Sequence, residues 1–292
     1  KDTILTKTLG FGAFVELLKP RLSLLVAFSC AFGYGLATKG RLDWMILTIL
    51  TTAGFLLSGA SVAINQVLER DLDALMDRTK GRPLPTGRVN VSEAVSFAVV
   101  CALFSLTLLW LFTNPLTTVL SLVSLLLYAF VYTPLKRVGP IAVFVGAFPG
   151  ALPPLLGWIA ATGSIAHEAM IIFGIQFVWQ FPHFWAIAWV ADEDYKRAGF
   201  KLLPSGGGKD LNTAIQIMIY TMFLIPLGLL PAKFGMTGLD SAIVATVCGV
   251  AFFAQTFSLM KTGSRQSALR IMFGSFIYLP VVQIAYLLDK VG

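Results

Sequence analysis

The sequence predicts an all-α, polytopic membrane protein of about nine transmembrane helices, and three observations carry that prediction. Hydrophobic residues make up 57% of the chain and charged residues 13%, with a mean hydropathy of +0.79, far more apolar than a soluble domain of 292 residues. The apolar residues fall in runs of about 20, the length a helix needs to cross a hydrocarbon core of about 30 Å. Strict two-residue alternation over about 10 residues, the mark of a membrane barrel, is absent.

In order, the predicted spans are Leu22 to Thr38, Trp44 to Leu68, Ala94 to Phe112, Leu116 to Thr133, Ile141 to Ala161, Ala169 to Ala191, Leu211 to Leu230, Ser241 to Met260 and Ile271 to Leu288. The first follows Lys19, Pro20 and Arg21 without a small-residue cleavage site and leads into further spans, so it is expected to remain in the membrane rather than act as a removable signal. Cys30, Cys101 and Cys248 lie inside apolar runs, where an odd number of thiols predicts packing residues and no disulfide framework.

Orientation follows from the basic residues. With the N-terminus in the cytoplasm, 18 of the 22 fall on inside segments, among them Lys1, Lys7, Lys19 and Arg21 at the start and Arg70, Arg78, Lys80, Arg82 and Arg88 after the second span. Lys39, Arg41, Lys233 and Lys290 are the four outside. This asymmetry predicts N-in, C-out and supports an odd number of spans. It also accounts for the net charge of +7 through anionic headgroups, leaving no case for nucleic-acid binding.

The positive-inside pattern does not explain the acids. "NQVLERDLDALMDRTKGRP", Asn65 to Pro83, places Glu69, Asp71, Asp73 and Asp77 at the inner end of the second span. Asn65, Glu69 and Asp73 recur every four residues, so on a continuing helix they share one face, and Asp77 extends the row unless Gly81 and Pro83 break it. Clustered amide and carboxylate oxygens suit Mg²⁺, which takes one or two carboxylates and leaves positions for substrate phosphates. A second acidic group, Asp192, Glu193 and Asp194, closes the sixth span on the same side.

Lys136 and Arg137 follow the fourth span, as Lys261 and Arg265 follow the eighth. These offsets predict one domain over residues 1–292, built from two four-helix units at about 22–133 and 141–260 with a ninth helix at 271–288. Either acidic cluster alone reads as a solvated loop with local ion pairs. Two clusters facing one compartment, surrounded by Arg78, Lys80, Arg82, Lys136 and Arg137, instead suggest a magnesium diphosphate site in which acids hold the metal and bases hold phosphate oxygens.

"NQVLERD" resembles the first aspartate-rich motif of the UbiA-type membrane prenyltransferases, in which an acid is common where Gln66 stands. "YTPLK", Tyr132 to Lys136, resembles their Tyr-x-x-x-Lys element, and "DEDYKRAG" their second acidic motif. The longer strings "NQVLERDLDALMDRTKGRPLPTG", "YTPLKR", "GALPPLLGW" and "WQFPHFWAIAW…DEDYKRAGFKLLP" look like the haem O synthase (protohaem IX farnesyltransferase) branch. The resemblance implies a UbiA-type bundle in a bacterial inner membrane, with its site facing the cytoplasm. The implied reaction joins farnesyl diphosphate, haem B and water to give haem O and diphosphate, with Mg²⁺ as cofactor. Haem A synthase or terminal oxidase assembly factors are implied partners.

The expected catalytic residues are Asn65, Glu69, Asp73, Asp194 and Lys136. The expected metal ligands are Asn65, Glu69, Asp73, Asp77, Asp194 and Glu193, and the expected substrate contacts are Arg78, Lys80, Arg82, Tyr132, Arg137, Tyr195 and His183. His183, in "QFPHFW", is a histidine inside a span, so it reads either as a haem-iron ligand or as an interhelical hydrogen bond near Pro182. Three rivals remain at this point, one of them a structural assembly partner for a terminal oxidase with no Mg²⁺-dependent chemistry. A prenyltransferase with an aromatic acceptor such as 4-hydroxybenzoate shares the diphosphate site, and a transporter would use the repeat and the broken helices at Pro149, Pro153 and Pro154. The transporter predicts charge at the membrane midplane rather than at one face.

Overall fold

Each predicted apolar run is helical in the computed structural model, which describes residues 10–291. Among the described residues, nine helices are long and apolar enough to cross a membrane: α1 (Pro20–Ala37), α2 (Trp44–Leu68), α3 (Val91–Phe112), α4 (Pro115–Leu135), α5 (Ile141–Thr162), α6 (His167–Val190), α7 (Leu211–Lys233), α8 (Leu239–Thr262) and α9 (Arg265–Leu288). The protein is a multi-pass membrane protein, with span boundaries within three residues of those the sequence predicts except at the start of α9, which begins six residues earlier, at Arg265. Lys1 and Lys7, counted above among the inside basic residues, lie outside the described residues.

Local chemistry sets the helix ends. Pro20 and Pro115 open α1 and α4 at positions where a missing N–H costs nothing. The side chains of Asp43, Asn114 and Asp210 accept from backbone N–H groups in the first turns of α2, α4 and α7. Asn90 and Glu93 form a reciprocal capping box at the start of α3.

α1 packs on α2, α5 and α9, while α5 packs on α1, α4 and α6, and α6 also meets α7 and α9. The α1–α5 pair is thus a wall shared by two groups of helices: α1, α2, α4 and α5 on one side, and α1, α5, α6 and α9 on the other. α5 is the most buried span. Two glycines make the shared wall possible. A Cβ on Gly33 would lie 1.9 Å from the Pro154 carbonyl oxygen, and one on Gly157 would lie 2.0 Å from the Cys30 carbonyl oxygen, so any side chain there would collide with backbone.

The prolines of α5 have a partner element. Pro154 has no N–H for the Gly150 carbonyl, which accepts instead from Gln176 Nε2 at 2.8 Å and Gln180 Nε2 at 3.0 Å, both on α6. Gln283 Nε2 on α9 donates to Gln176 Oε1 at 2.9 Å, extending the network across the second group of helices.

Two departures from regular helix lie at the site. Leu127–Tyr132 of α4 is π-helical. Pro134 explains it: its missing N–H and bulky ring disrupt the turn that would bond to residue 130, and a wider turn relieves the clash. α2 ends at Leu68, where Glu69 adopts φ −102° and ψ 10°, and a separate turn, Arg70–Asp73, follows. The expected continuous helix carrying Asn65, Glu69, Asp73 and Asp77 is therefore corrected: the row survives as far as Asp73 across a break, and the chain beyond Ala74 is no longer helical.

Candidate active site

α1, α2, α4, α5, α6 and α9 enclose a cavity whose mouth carries the charge and whose shaft is apolar. Lys19, Asn65, Glu69, Asp73, Arg78, Arg82, Tyr132, Lys136 and Tyr195 line the mouth. From Asn65 the lining runs down α2 through Val62, Leu57 and Gly54 to Leu50, fifteen residues or roughly 22 Å along the helix. The cavity is therefore long enough to span most of a bilayer core in depth, with its charged groups gathered at one end.

The mouth is built from paired acids and bases. Asn65 Nδ2 donates to Thr133 Oγ1 at 3.0 Å, which in turn donates to the Tyr128 carbonyl, so the π-helical turn of α4 holds the amide in place. Lys136 Nζ lies 2.9 Å from Glu69 Oε1 and 3.1 Å from Oε2, and sits 4.8 Å above the Tyr132 ring. Burial alone would pull the Lys136 ammonium down; the attraction of Glu69, with smaller contributions from Tyr128 and Tyr195, outweighs it and holds the group above its ordinary value. A Cβ on Gly146 of α5 would lie 2.6 Å from the Tyr132 ring, so glycine makes the room that this ring occupies.

Asp73 is fully buried, and Arg82 Nη1 reaches its Oδ2 at 2.6 Å. Its Oδ1 has no hydrogen-bond partner among the described residues. A buried carboxylate oxygen without a donor is costly, and a cation is the partner that suits it. The donor set of Asn65, Glu69 and Asp73 fits Mg²⁺ on this ground, since that ion needs only one or two carboxylates when phosphate and water complete its shell. Among the described residues no three His, Cys, Asp or Glu side chains converge tightly enough to hold a metal alone.

The second acidic cluster does not line the cavity. Asp194 Oδ1 accepts from the backbone N–H of Asp77 at 3.0 Å, Oδ2 accepts from that of Arg78 at 3.2 Å, and Arg197 Nη2 lies 2.5 Å from Oδ1. This carboxylate clamps the loop after Asp73 over the mouth, so the structure places it beside that loop and outside the lining that holds Asn65, Glu69 and Asp73. Glu193 is exposed and absent from the lining. Asp192 is buried against Lys196 and Lys209 at 2.9 and 3.1 Å.

Asp77 also lies outside the cavity, hydrogen-bonded by Lys80 at 2.7 Å and Arg197 at 2.7 Å, which hold its carboxyl down to about 2. It sits in a surface ion pair, because the helix that would have turned it inward ends before it. Lys80 and Arg137 are exposed and likewise stand off the lining. Arg78, Arg82, Tyr132, Tyr195 and His183 do reach it, with the Arg78 guanidinium 5.8 Å over the Tyr195 ring.

One cavity residue escaped the sequence reading. Lys19 looks like an ordinary flanking lysine, yet it takes φ 44° and ψ 68°, a left-handed conformation rare for a non-glycine residue and unusual before proline. That turn brings its amine into the mouth. Burial, then the nearby charges of Arg82 and Lys136, push the ammonium down to about 7, with Asp73 opposing them. The one sequence signal for it is the pairing of a lysine with Pro20 directly before a span.

The residues from 26 to 279 match the model of the UbiA prenyltransferase family. The chain belongs to the UbiA prenyltransferase family. A protoheme IX farnesyltransferase from Cytophaga hutchinsonii is 51% identical over 96% of this chain and 98% of its own, and one from Christiangramia forsetii is 45% identical over 95% and 93%. One from Solibacter usitatus is 37% identical over 96% and 99%. Among solved structures, a digeranylgeranylglyceryl phosphate synthase superposes with a TM-score of 0.78 at 19% identity, covering 95% of this chain and 97% of its own. A UbiA homologue from Archaeoglobus fulgidus bound to GPP and Mg²⁺ superposes with a TM-score of 0.66 at 16% identity, covering 94% and 99%. These two likenesses share the UbiA fold with this chain.

Proposed function

We propose that the chain is a haem O synthase, transferring the farnesyl group of farnesyl diphosphate, with water, to a vinyl group of haem B and releasing diphosphate. The observation that carries it is the unpartnered Oδ1 of buried Asp73 among Arg82, Lys136 and Lys19 at the head of a deep apolar cavity. Such a mouth takes a magnesium diphosphate, and such a shaft takes its hydrocarbon tail. The acceptor comes from the relatives, which are protoheme IX farnesyltransferases. Mg²⁺ use draws support from the Archaeoglobus fulgidus homologue bound to GPP and that ion.

Asn65, Glu69 and Asp73 would hold Mg²⁺, which when bound supplies positive charge against the departing diphosphate. Arg78, Arg82, Lys136 and Lys19 bind the phosphate oxygens. The Glu69–Lys136 and Asp73–Arg82 pairs keep both kinds of group at the mouth, acids for the cation and bases for the anion. Tyr128 and Tyr132, with ring centroids 5.3 Å apart, present aromatic faces beside the place where the allylic carbon turns positive. The apolar shaft keeps water from that cation until the vinyl group attacks it. Water then captures the second cation, next to the porphyrin, and loses a proton to leave a hydroxyl.

In this proposal the mouth faces the cytoplasm of a bacterial inner membrane, an orientation that the positive-inside asymmetry supports. The product would pass to haem A synthase or a terminal oxidase. The two units at 22–133 and 141–260 belong to the same reading, supported by a recurring neighbour pattern in which α2 meets α3 as α6 meets α7, and α4 meets α5 as α8 meets α9.

The test is to incubate purified protein with haem B, farnesyl diphosphate and Mg²⁺ and to chromatograph the haems. A later-eluting haem carrying a hydroxyethylfarnesyl group is expected. Unchanged haem B alongside a prenylated 4-hydroxybenzoate would replace this reading with the aromatic-acceptor one.

A further inference from the structure

His183 lines the cavity from α6, seven residues before that helix ends, roughly 10 Å below the mouth along the axis. The diphosphate chemistry does not use it. Its Nδ1 lies 2.8 Å from Ser275 Oγ on α9, and that hydroxyl donates to the Met272 carbonyl at 2.6 Å. Serine has one hydroxyl proton, and a carbonyl oxygen has none to offer, so Ser275 meets the imidazole with a lone pair. The hydrogen between them therefore sits on Nδ1. Nε2 is left with its lone pair, and no described residue hydrogen-bonds to it.

The ring is fixed from other sides as well. Trp179 stacks on it with centroids 4.3 Å apart and planes 18° apart, and Trp179 Nε1 donates to the Ser275 carbonyl at 3.0 Å. Phe184 and Phe276 approach edge-on at 5.2 and 5.0 Å. Ser275 thus holds the imidazole through its side chain and the indole through its backbone. Either tautomer could tie α6 to α9 with one hydrogen bond. This arrangement selects one and leaves the other nitrogen to the cavity.

We infer that His183 Nε2 is an axial ligand for the iron of the acceptor haem, and that Ser275 is the positioning residue that sets its tautomer and direction. The inference rests on the haem O synthase reading. A neutral imidazole whose second nitrogen donates to a protein acceptor is the form that binds haem iron, and that second contact raises the ligand's basicity. The bond is dative, from the Nε2 lone pair to iron, with no proton or electron transferred. It seats the porphyrin against the α6–α9 wall and leaves the α2–α4 side, where Gly54, Ser58, Ser61 and Ser121 line the cavity, to the prenyl chain.

The test uses the full chain in detergent or nanodiscs with haem B alone, read by absorption, resonance Raman and EPR spectroscopy. Wild type is expected to show an iron–histidine signature. His183→Ala should lose it, weaken haem binding by about tenfold or more, and regain the signature with added free imidazole. Ser275→Ala should keep haem but shift the iron–histidine stretch, while Ser275→Thr, which retains the hydroxyl, should match wild type. Wild-type protein that converts haem B yet shows no nitrogen ligand overturns the inference without any variant, as does a His183→Ala protein with an unchanged haem spectrum. Wild-type protein that neither binds nor converts haem B overturns the functional reading instead.

Discussion

Arg82 Nη1 lies 2.6 Å from Asp73 Oδ2, so a guanidinium nine residues downstream neutralises one oxygen of a fully buried carboxylate and leaves the other bare. An oxygen in that position is a cation ligand in waiting. Asp73→Asn keeps the shape but removes the charge, so turnover should fall by at least about 100-fold while the protein remains folded. The stability cost should be about 1–3 kcal/mol, since Arg82 is only partly buried and can turn to solvent. The measurement that isolates the metal role is thermal stabilisation by Mg²⁺ with farnesyl diphosphate, which the variant should lack. Normal haem O production by Asp73→Asn would remove the role assigned to it.

Asp194 tests a different job. Its carboxylate holds the amides of Asp77 and Arg78, so Asp194→Ala should free the loop rather than the metal. Amide exchange should rise across residues 76–84, and trypsin should cut faster at Arg78 and Lys80. The Mg²⁺ concentration that gives half-maximal activity should stay put while the KM for farnesyl diphosphate increases, because the loop that carries Arg78 and Arg82 no longer sits over the mouth. A large rise in the Mg²⁺ requirement with unchanged loop protection would return Asp194 to the metal shell.

The contrast between Asp73 and Asp194 marks where the sequence stops being legible. Nine runs of about 20 apolar residues can hardly be anything but spans, because a bilayer offers backbone groups no other partners. Asn65 and Glu69 were legible too, since spacing by four near a helix end fixes a shared face, while Tyr132 and Lys136 were legible through the likeness of "YTPLK" to the Tyr-x-x-x-Lys element of the family. Whether Asp194 looks into a cavity or onto a backbone amide depends on a loop more than a hundred residues away, and no local pattern encodes that. Lys19 was hidden for another reason. Its charge is fully accounted for by topology, and only its left-handed turn shows that it enters the site. Ser275 is an unremarkable small residue in an apolar run until His183 is placed beside it.

The α1–α5 wall predicts a steep stability effect away from the chemistry. Gly157→Ala would place a methyl carbon 2.0 Å from the Cys30 carbonyl oxygen, and neither backbone can retreat without parting the wall that both groups of helices share. A cost above about 4 kcal/mol is expected, with loss of monodisperse protein on size-exclusion chromatography. Gly174→Ala in α6, where a Cβ meets nothing within 4 Å, is the control and should behave as wild type.

Lys19 gives the pH prediction. With its ammonium pushed down to about 7, the free site holds roughly half a proton there at neutral pH. A bound diphosphate brings negative charge to the mouth and favours the charged amine, so binding takes up a proton. Well below pH 7 the proton is already present and binding is pH-independent through this group. Above pH 7 each complex must acquire it, so affinity should fall by up to about tenfold per pH unit until the pKa of the complex is reached. The diphosphate's own ionisation acts in the opposite sense, so the comparison is with Lys19→Arg, whose guanidinium stays charged throughout. Calorimetry in buffers of different ionisation enthalpy should show proton uptake near pH 8 in wild type and less uptake in Lys19→Arg. Equal proton uptake by the two proteins would mean that Lys19 enters the mouth already charged, and that its burial is offset by an acid it shares with Arg82 or Lys136.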